Sequence, residues 1–198
     1  MENEKRIKKQ RCTWSESSES MVHYHDTYWG LPVHDDQELF AKLSLDLMQA
    51  GLSWQTVLNK TEAFYVAFDD FEIGKVAQYD DLKFAELIEN VGIIRNKMKI
   101  RAIINNASRV QEIQQTFGSF DDYIWQFVTG QTVVQQPLKN GFLTRNTLSD
   151  DLSKDLKKRG FKFVGTTIIF AYLQAIGVLD DHEETCFRKS ELAQLRDK

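Results

Sequence analysis

The stretch Leu45–Trp54, LDLMQAGLSW, decides how the rest of the chain is read. Upstream of it, Leu39, Leu43, Leu47 and Ala50 recur every three to four residues, the apolar stripe of a helix. Asp46 sits one step from Leu47 and seven from Leu39, on or beside that stripe. A carboxylate on an apolar face costs free energy unless it is paired, hydrogen-bonded or put to use. Gly51 is placed to end the helix and Ser53 to cap the next one. One short corner thus brings together an acid, an amide (Gln49), an apolar tip (Leu52) and a large aromatic (Trp54). Taken alone, the corner is equally readable as a helix–turn–helix core element with a capped Asp.

The same helical period runs through most of the chain. Helices are expected near 36–50, 53–68, 73–79, 81–90, 95–115, 119–128, 149–159, 165–177 and 183–195. Only Thr132–Val134 reads as a strand, and 131–147 around Pro137 reads as an irregular connection. Two prolines, no internal repeat and no low-complexity linker point to one compact all-α domain. The boundaries expected are a basic tail at 1–10, which composition leaves free to be disordered, a single domain at 11–190 and a tail at 191–198.

Length and composition narrow the class. The 198 residues, 42% apolar and 27% charged, suit a soluble globular protein with a sizeable core. No apolar run approaches the roughly 18 residues of a membrane span, and MENEKRIKKQRC is no secretory signal, so a cytoplasmic protein is expected. The net charge of −4 excludes a uniformly basic nucleic-acid coat. Basic residues nevertheless gather at Lys5–Arg11, Arg95–Arg101 and Lys154–Lys162, which leaves room for a local nucleic-acid face. Each block is also readable as a solvated helix face.

Residues 12–30, CTWSESSESMVHYHDTYWG, hold two Trp, two Tyr, two His and a Cys, with little aliphatic material. They suit the lining of a site, or a surface loop packed by its own aromatics. Cys12 and His25 could share a metal. His182 and Cys186, spaced i, i+4, would share one helical face. Two Cys and two His would complete a closed tetrahedral zinc site tying the chain ends together. Farther in, an amphipathic helix over 81–90, Gly92 in an apolar turn, and a helix beginning near Arg95 have the order of a helix-hairpin-helix. Such a hairpin aims backbone amides at an anion, with Arg95, Lys97, Lys99 and Arg101 just beyond. It would hold a DNA phosphate without reading sequence; an ordinary αα-corner fits the same pattern.

Several blocks together resemble the DNA-3-methyladenine glycosylase I family. They are RCTW (11–14), YHDTYWG (24–30), LFAKL and QAGLSWQTVLNK (39–60), GIIRNKMKI (92–100), LSKDLKKRGFKFVGTTI (152–168) and DHEETC (181–186). The resemblance implies a helix-hairpin-helix DNA glycosylase fold with a structural zinc ion held by Cys12, His25, His182 and Cys186. It implies excision of 3-methyladenine from alkylated double-stranded DNA by base flipping, carried out by a monomer with no membrane partner. Trp14, Tyr24 and Trp54 match the base pocket, with Trp29 supporting them. Asp46 matches the pocket acid, and Gln49 and Leu52 match the segment that fills the gap in the duplex. Gly92, Ile93, Ile94, Arg95 and Lys97 match the DNA-binding hairpin. No lysine takes a matched pocket position, so a monofunctional glycosylase without a lyase step is expected.

One departure stands out. The family carries Glu, within a Leu-Glu-Gly sequence, where this chain has Leu45-Asp46-Leu47. The charge is kept, its reach shortens by about 1.5 Å, and Leu47 is expected to crowd the pocket. Two other readings remain at this stage. One is a damage sensor that binds alkylated DNA without excision. The other is a catalytic zinc hydrolase, against which four protein ligands argue, since catalytic zinc keeps an open position.

Overall fold

A computed structural model describes residues 9–136 and 142–196. Most of the expected basic N-terminal tail, Pro137 and the last two residues lie outside that range. Among the described residues the chain is a helical body organised on one buried helix, α2 (Asp36–Gln49). Its N-cap Asp35 accepts from the Glu38 amide at 2.8 Å, and every residue from Leu39 to Met48 is buried. A helix apolar nearly all round belongs in the middle of a core. Asp36 in its first turn accepts from the Phe120 and Asp121 amides at 2.9 and 2.8 Å, fastening α8 (Phe120–Trp125) to it. The long α7 (Lys97–Phe117) and α10 (Thr166–Ala175) pack on other sides. α9 (Thr147–Lys158) lies against α10.

Several boundaries differ from expectation for local reasons. The expected 53–68 helix is two, α3 (Trp54–Leu58) and α4 (Thr61–Ala67). Lys60, at φ −117° and ψ 2°, takes the chain out of helical geometry and re-aims α4 so that Phe64 and Phe68 are fully buried. The 73–79 helix is the single turn α5 (Ile73–Val76), and 119–128 closes α8 with a 3-10 turn before left-handed Thr129. The strand at Thr132–Val134 is present as β1 (Val133–Val134), paired in parallel with β2 (Leu179–Asp180).

Residues 12–30 are not a loop. A 3-10 turn (Thr13–Ser17) leads into α1 (Glu19–Thr27), capped by Ser18, whose hydroxyl accepts from the Met21 amide at 3.2 Å. Its buried pair is Met21 and His25, so no aliphatic stripe marks it. The expected 183–195 helix is α11 (Phe187–Arg196), which starts later. His182 and Cys186 therefore lie in the preceding turns rather than on one helical face. The Asp180 carboxylate accepts from the His182 amide at 3.2 Å and Glu183 carbonyl from the Cys186 amide at 2.8 Å, which holds that segment out of a helix.

Candidate active site

The 45–54 corner folds as its residues dictate. Ala50 ends α2, Gly51 follows at φ +76°, a value that favours glycine, and the Ser53 hydroxyl accepts from the Thr56 amide to start α3. The corner is locked from outside by Lys99 of α7. Its buried ammonium donates to the Met48 and Ala50 carbonyls at 2.9 and 2.6 Å, satisfying the end of α2. Lys99 is thus an internal cap, not part of the exposed basic face that its neighbours in sequence suggest.

A cavity of about 370 Å³ opens beside the corner. Trp14, Tyr24, Trp29, Asp46, Gln49 and Trp54 line it, together with Met21, Phe142 and Leu143. The aromatic rings form one continuous wall. Tyr24 and Trp54 have centroids 5.1 Å apart, Trp14 and Trp29 meet edge to face at 5.0 Å, and Trp14 reaches Tyr24 at 6.4 Å. Such faces present negative π density to a cation. The Trp54 indole N–H is buried and has no hydrogen-bond partner among the described residues.

Asp46 is 3% exposed, and its Oδ2 likewise takes no hydrogen bond there. Burial pushes its carboxyl up to about 8, opposed by the field of Lys42 one turn earlier. Burial thus favours the neutral acid, and an arriving cation favours its ionisation. Leu47 does not crowd the cavity. It is fully buried in the core and lines neither face of the pocket wall, because one residue is a rotation of about 100° away from Asp46. Gln49 lies at the cavity and Leu52, 41% exposed, projects from the tip of the corner.

The hairpin lies between α6 (Asp81–Glu89) and α7. Ile93 anchors its turn in the core, Ile94 is half-buried, and Arg95 and Lys97 are exposed. Asn96 caps α7 by accepting from the Met98 and Lys99 amides at 3.0 and 3.2 Å. Gly92 is closely packed: a Cβ there would stand 3.0 Å from Asn90 Oδ1 and 3.4 Å from the Ala63 Cβ, so a side chain requires those neighbours to give way. Its amide donates to Asn90 Oδ1 at 2.8 Å, and Lys60 Nζ donates to its carbonyl at 2.8 Å. Lys60 therefore braces the hairpin from the α3–α4 turn.

Behind the aromatic wall Cys12, His25 and Cys186 are buried with their donor atoms within 4.8 Å of one another, a cluster able to hold a metal ion. His25 Nε2 is 3.4 Å from Cys186 Sγ, and its Nδ1 meets Asp26 Oδ1 at 2.9 Å. Asp26 is in turn held by Arg11 at 2.7 Å. His182 has the same arrangement: Nδ1 meets Asp180 Oδ1 at 3.0 Å, and Arg196 holds Asp180 Oδ2 at 2.7 Å. His182 stands outside the tight three-residue cluster, its ring 5.5 Å from that of His25 and its buried Nε2 unpartnered among the described residues. The two thiols are both buried, and Cys12 is pushed above the ordinary thiol range by its hydrogen bond to Cys186 and by burial. Trp14 touches the His25 ring edge to face at 5.5 Å and Trp29 the His182 ring at 4.5 Å, so the cluster backs the pocket directly.

The sequence-predicted residues therefore fall into three groups. Trp14, Tyr24, Asp46, Gln49 and Trp54 meet at one cavity, Cys12, His25, Cys186 and His182 gather behind it, and the hairpin stands apart. Met21, Lys42 and Lys99 were not anticipated in these surroundings. No aliphatic stripe marks Met21, and nothing local marks either lysine as internal.

Comparison with known proteins points to one family. A profile of the methyladenine glycosylase family matches residues 14–189. DNA-3-methyladenine glycosylase 1 of Escherichia coli strain K12 is 42% identical over 178 residues, 89% of this chain and 95% of that protein. The DNA-3-methyladenine glycosylase of Haemophilus influenzae is 40% identical over 89% of this chain and 96% of its own length. The structure of 3-methyladenine DNA glycosylase I from Staphylococcus aureus, which concerns 3-methyladenine recognition, superposes with a TM-score of 0.86 at 37% identity, covering 90% of this chain and 96% of that one.

Proposed function

The chain belongs to the methyladenine glycosylase family, and from that premise we infer that the cavity at Asp46 takes up 3-methyladenine from alkylated DNA and releases it. The protein is a DNA-3-methyladenine glycosylase acting in base-excision repair. The observation that carries the reading for this chain is the buried Asp46 carboxyl against the Tyr24–Trp54 and Trp14–Trp29 walls.

Alkylation at N3 gives the adenine a positive charge and weakens its bond to the sugar. Arg95 and Lys97 hold a backbone phosphate at the hairpin, with Gly92–Ile94 setting its approach. The damaged nucleotide leaves the stack and enters the cavity, while Leu52 and Gln49 occupy the gap. Trp14, Tyr24 and Trp54 face the cationic ring, supported by Trp29. The C1′–N9 bond breaks with its electron pair going to the base, which departs as neutral 3-methyladenine. Water adds to the sugar cation at C1′ and loses a proton, leaving an abasic site. The Asp46 carboxylate stabilises first the cationic base and then the sugar cation. No step needs a lysine, so the reaction is that of a monofunctional glycosylase.

Zinc suits the donor set of Cys12, His25, Cys186 and His182. The orphaned, buried Nε2 of His182 is a fourth donor beside the three-residue cluster, and carboxylates on both Nδ1 atoms set the tautomers that expose Nε2. Such an ion would be structural, pinning the N-terminal turn and the segment before α11 behind the pocket. The domain spans about 11–190 and acts as a cytoplasmic monomer on duplex DNA. Among the described residues no helix is long and apolar enough to cross a membrane. The decisive test is release of labelled 3-methyladenine from methylated duplex DNA above the spontaneous rate. Binding of the free base without any release would instead make the chain a damage sensor.

A further inference from the structure

Lys42 is one helical turn before Asp46, and its side chain is only 10% exposed. It faces a second cavity, of about 510 Å³, on the far side of the wall formed by Tyr24, Asp46 and Trp54. Glu38, Lys42 and Asp46 follow one another at i, i+4 and i+8 and share that cavity. At its outer edge Glu38 approaches Lys42 Nζ at 3.9 Å and accepts from the Tyr65 hydroxyl at 3.1 Å. Glu38 is 37% exposed and the pair is long, a combination that contributes little to stability. Burying an ammonium is costly, and an apolar side chain would fill the same stripe without that cost. The Glu38 pair does not account for it.

Asp46, one turn further on, is a second carboxylate whose field favours the Lys42 ammonium, after that of Glu38. Tyr24 of α1 and Tyr172 of α10 are neutral phenols beside Asp46. Asp181 and Glu183 line the base pocket; Glu38, Glu62, Tyr65, the imidazole of His23 and Tyr28, whose ring centroid is 5.9 Å from Lys42 Nζ, line the second cavity. Burial opposes ionisation of Asp46, and the charge that favours it is that of Lys42. Lys42 is the one lysine or arginine lining either cavity among the described residues.

We propose that Lys42 is a positioning residue for the excision reaction: from behind the pocket wall its ammonium favours the carboxylate form of Asp46, the form that meets a cationic base. This rests on the glycosylase reading above. The field of Lys42 lowers the Asp46 pKa against burial, and that of Asp46 acts reciprocally on Lys42.

The test is the pH profile of kcat/KM for 3-methyladenine release from methylated duplex DNA, measured for wild type, Lys42→Met and Lys42→Arg. Lys42→Met should move the limb that rises with pH upward by roughly one unit, lowering release at pH 7 about tenfold while the alkaline plateau is kept. Lys42→Arg should restore the wild-type limb. Lys42→Gln serves if Lys42→Met fails to fold. A carboxyl carbon NMR titration of Asp46 in DNA-free protein, assigned through Asp46→Asn, should show the same upward shift. An Asp46 titration unmoved by loss of the Lys42 charge, or an equal shift in Lys42→Arg, overturns the proposal and leaves Lys42 a packing residue. Wild-type protein that releases no base overturns the glycosylase reading, and the NMR titration still decides the role of Lys42.

Discussion

Replacing Asp46 by Asn should stabilise the fold while impairing excision, with a gain that depends on pH in a defined way. In the unfolded chain the carboxyl titrates near 3.8, whereas in the folded pocket burial raises it to about 8. Between those values the native state holds a proton that the unfolded state has lost. The contribution of Asp46 to stability is therefore fully present below pH 4 and is lost as pH rises toward 8, at about 1.4 kcal/mol per unit. Asn keeps the shape and titrates nothing. The stability of Asp46→Asn relative to wild type should thus grow by about 2–3 kcal/mol from pH 5 to pH 7. For a domain of this size that is a differential melting shift of roughly 4–12 °C. Urea unfolding of both proteins at pH 5, 6, 7 and 8 measures it, and taking the difference cancels the titrating groups that Asp46 does not touch. A stability difference that stays constant from pH 5 to pH 7 would refute the buried, uncompensated carboxyl.

Three further outcomes are expected. Metal analysis should give near-stoichiometric zinc, and Cys186→Ala should lower the melting temperature by on the order of 10 °C; metal-free protein with an unchanged melting temperature would remove zinc from the account. DNA affinity should fall with added salt, and Gly92→Asp should weaken binding to all sequences alike, since it sets a charge at the phosphate-facing turn; a folded Gly92→Asp protein with undiminished binding would show that the hairpin is only a corner. Lys99→Met should destabilise the fold by about 1–3 kcal/mol by leaving the Met48 and Ala50 carbonyls without their buried donor, and calorimetry showing no loss would mean that water replaces it.

What local chemistry dictates was legible along the chain. The stripe of α2, the glycine at 51 after its end, the serine cap at 53 and the glycine hairpin before α7 are set by neighbours within a turn or two. Asp46 on an apolar stripe announced a special acid because its burial follows from helical period alone. α1 was missed because its inward residues, Met21 and His25, make no aliphatic stripe, and the groups around His25, namely Cys186, His182 and Phe187, come from the far end of the chain. His182 and Cys186 have helical spacing but no helix, because side-chain and turn hydrogen bonds won over periodicity between Asp180 and Cys186. Three lysines show the limit most clearly. Lys42, Lys97 and Lys99 are alike in sequence, yet Lys97 is exposed, Lys99 caps a helix 49 residues away and Lys42 lies behind the pocket acid. A lysine's stem spans several ångströms in any direction its helix face allows, so what its charge meets is decided by which distant backbone the tertiary fold brings within reach.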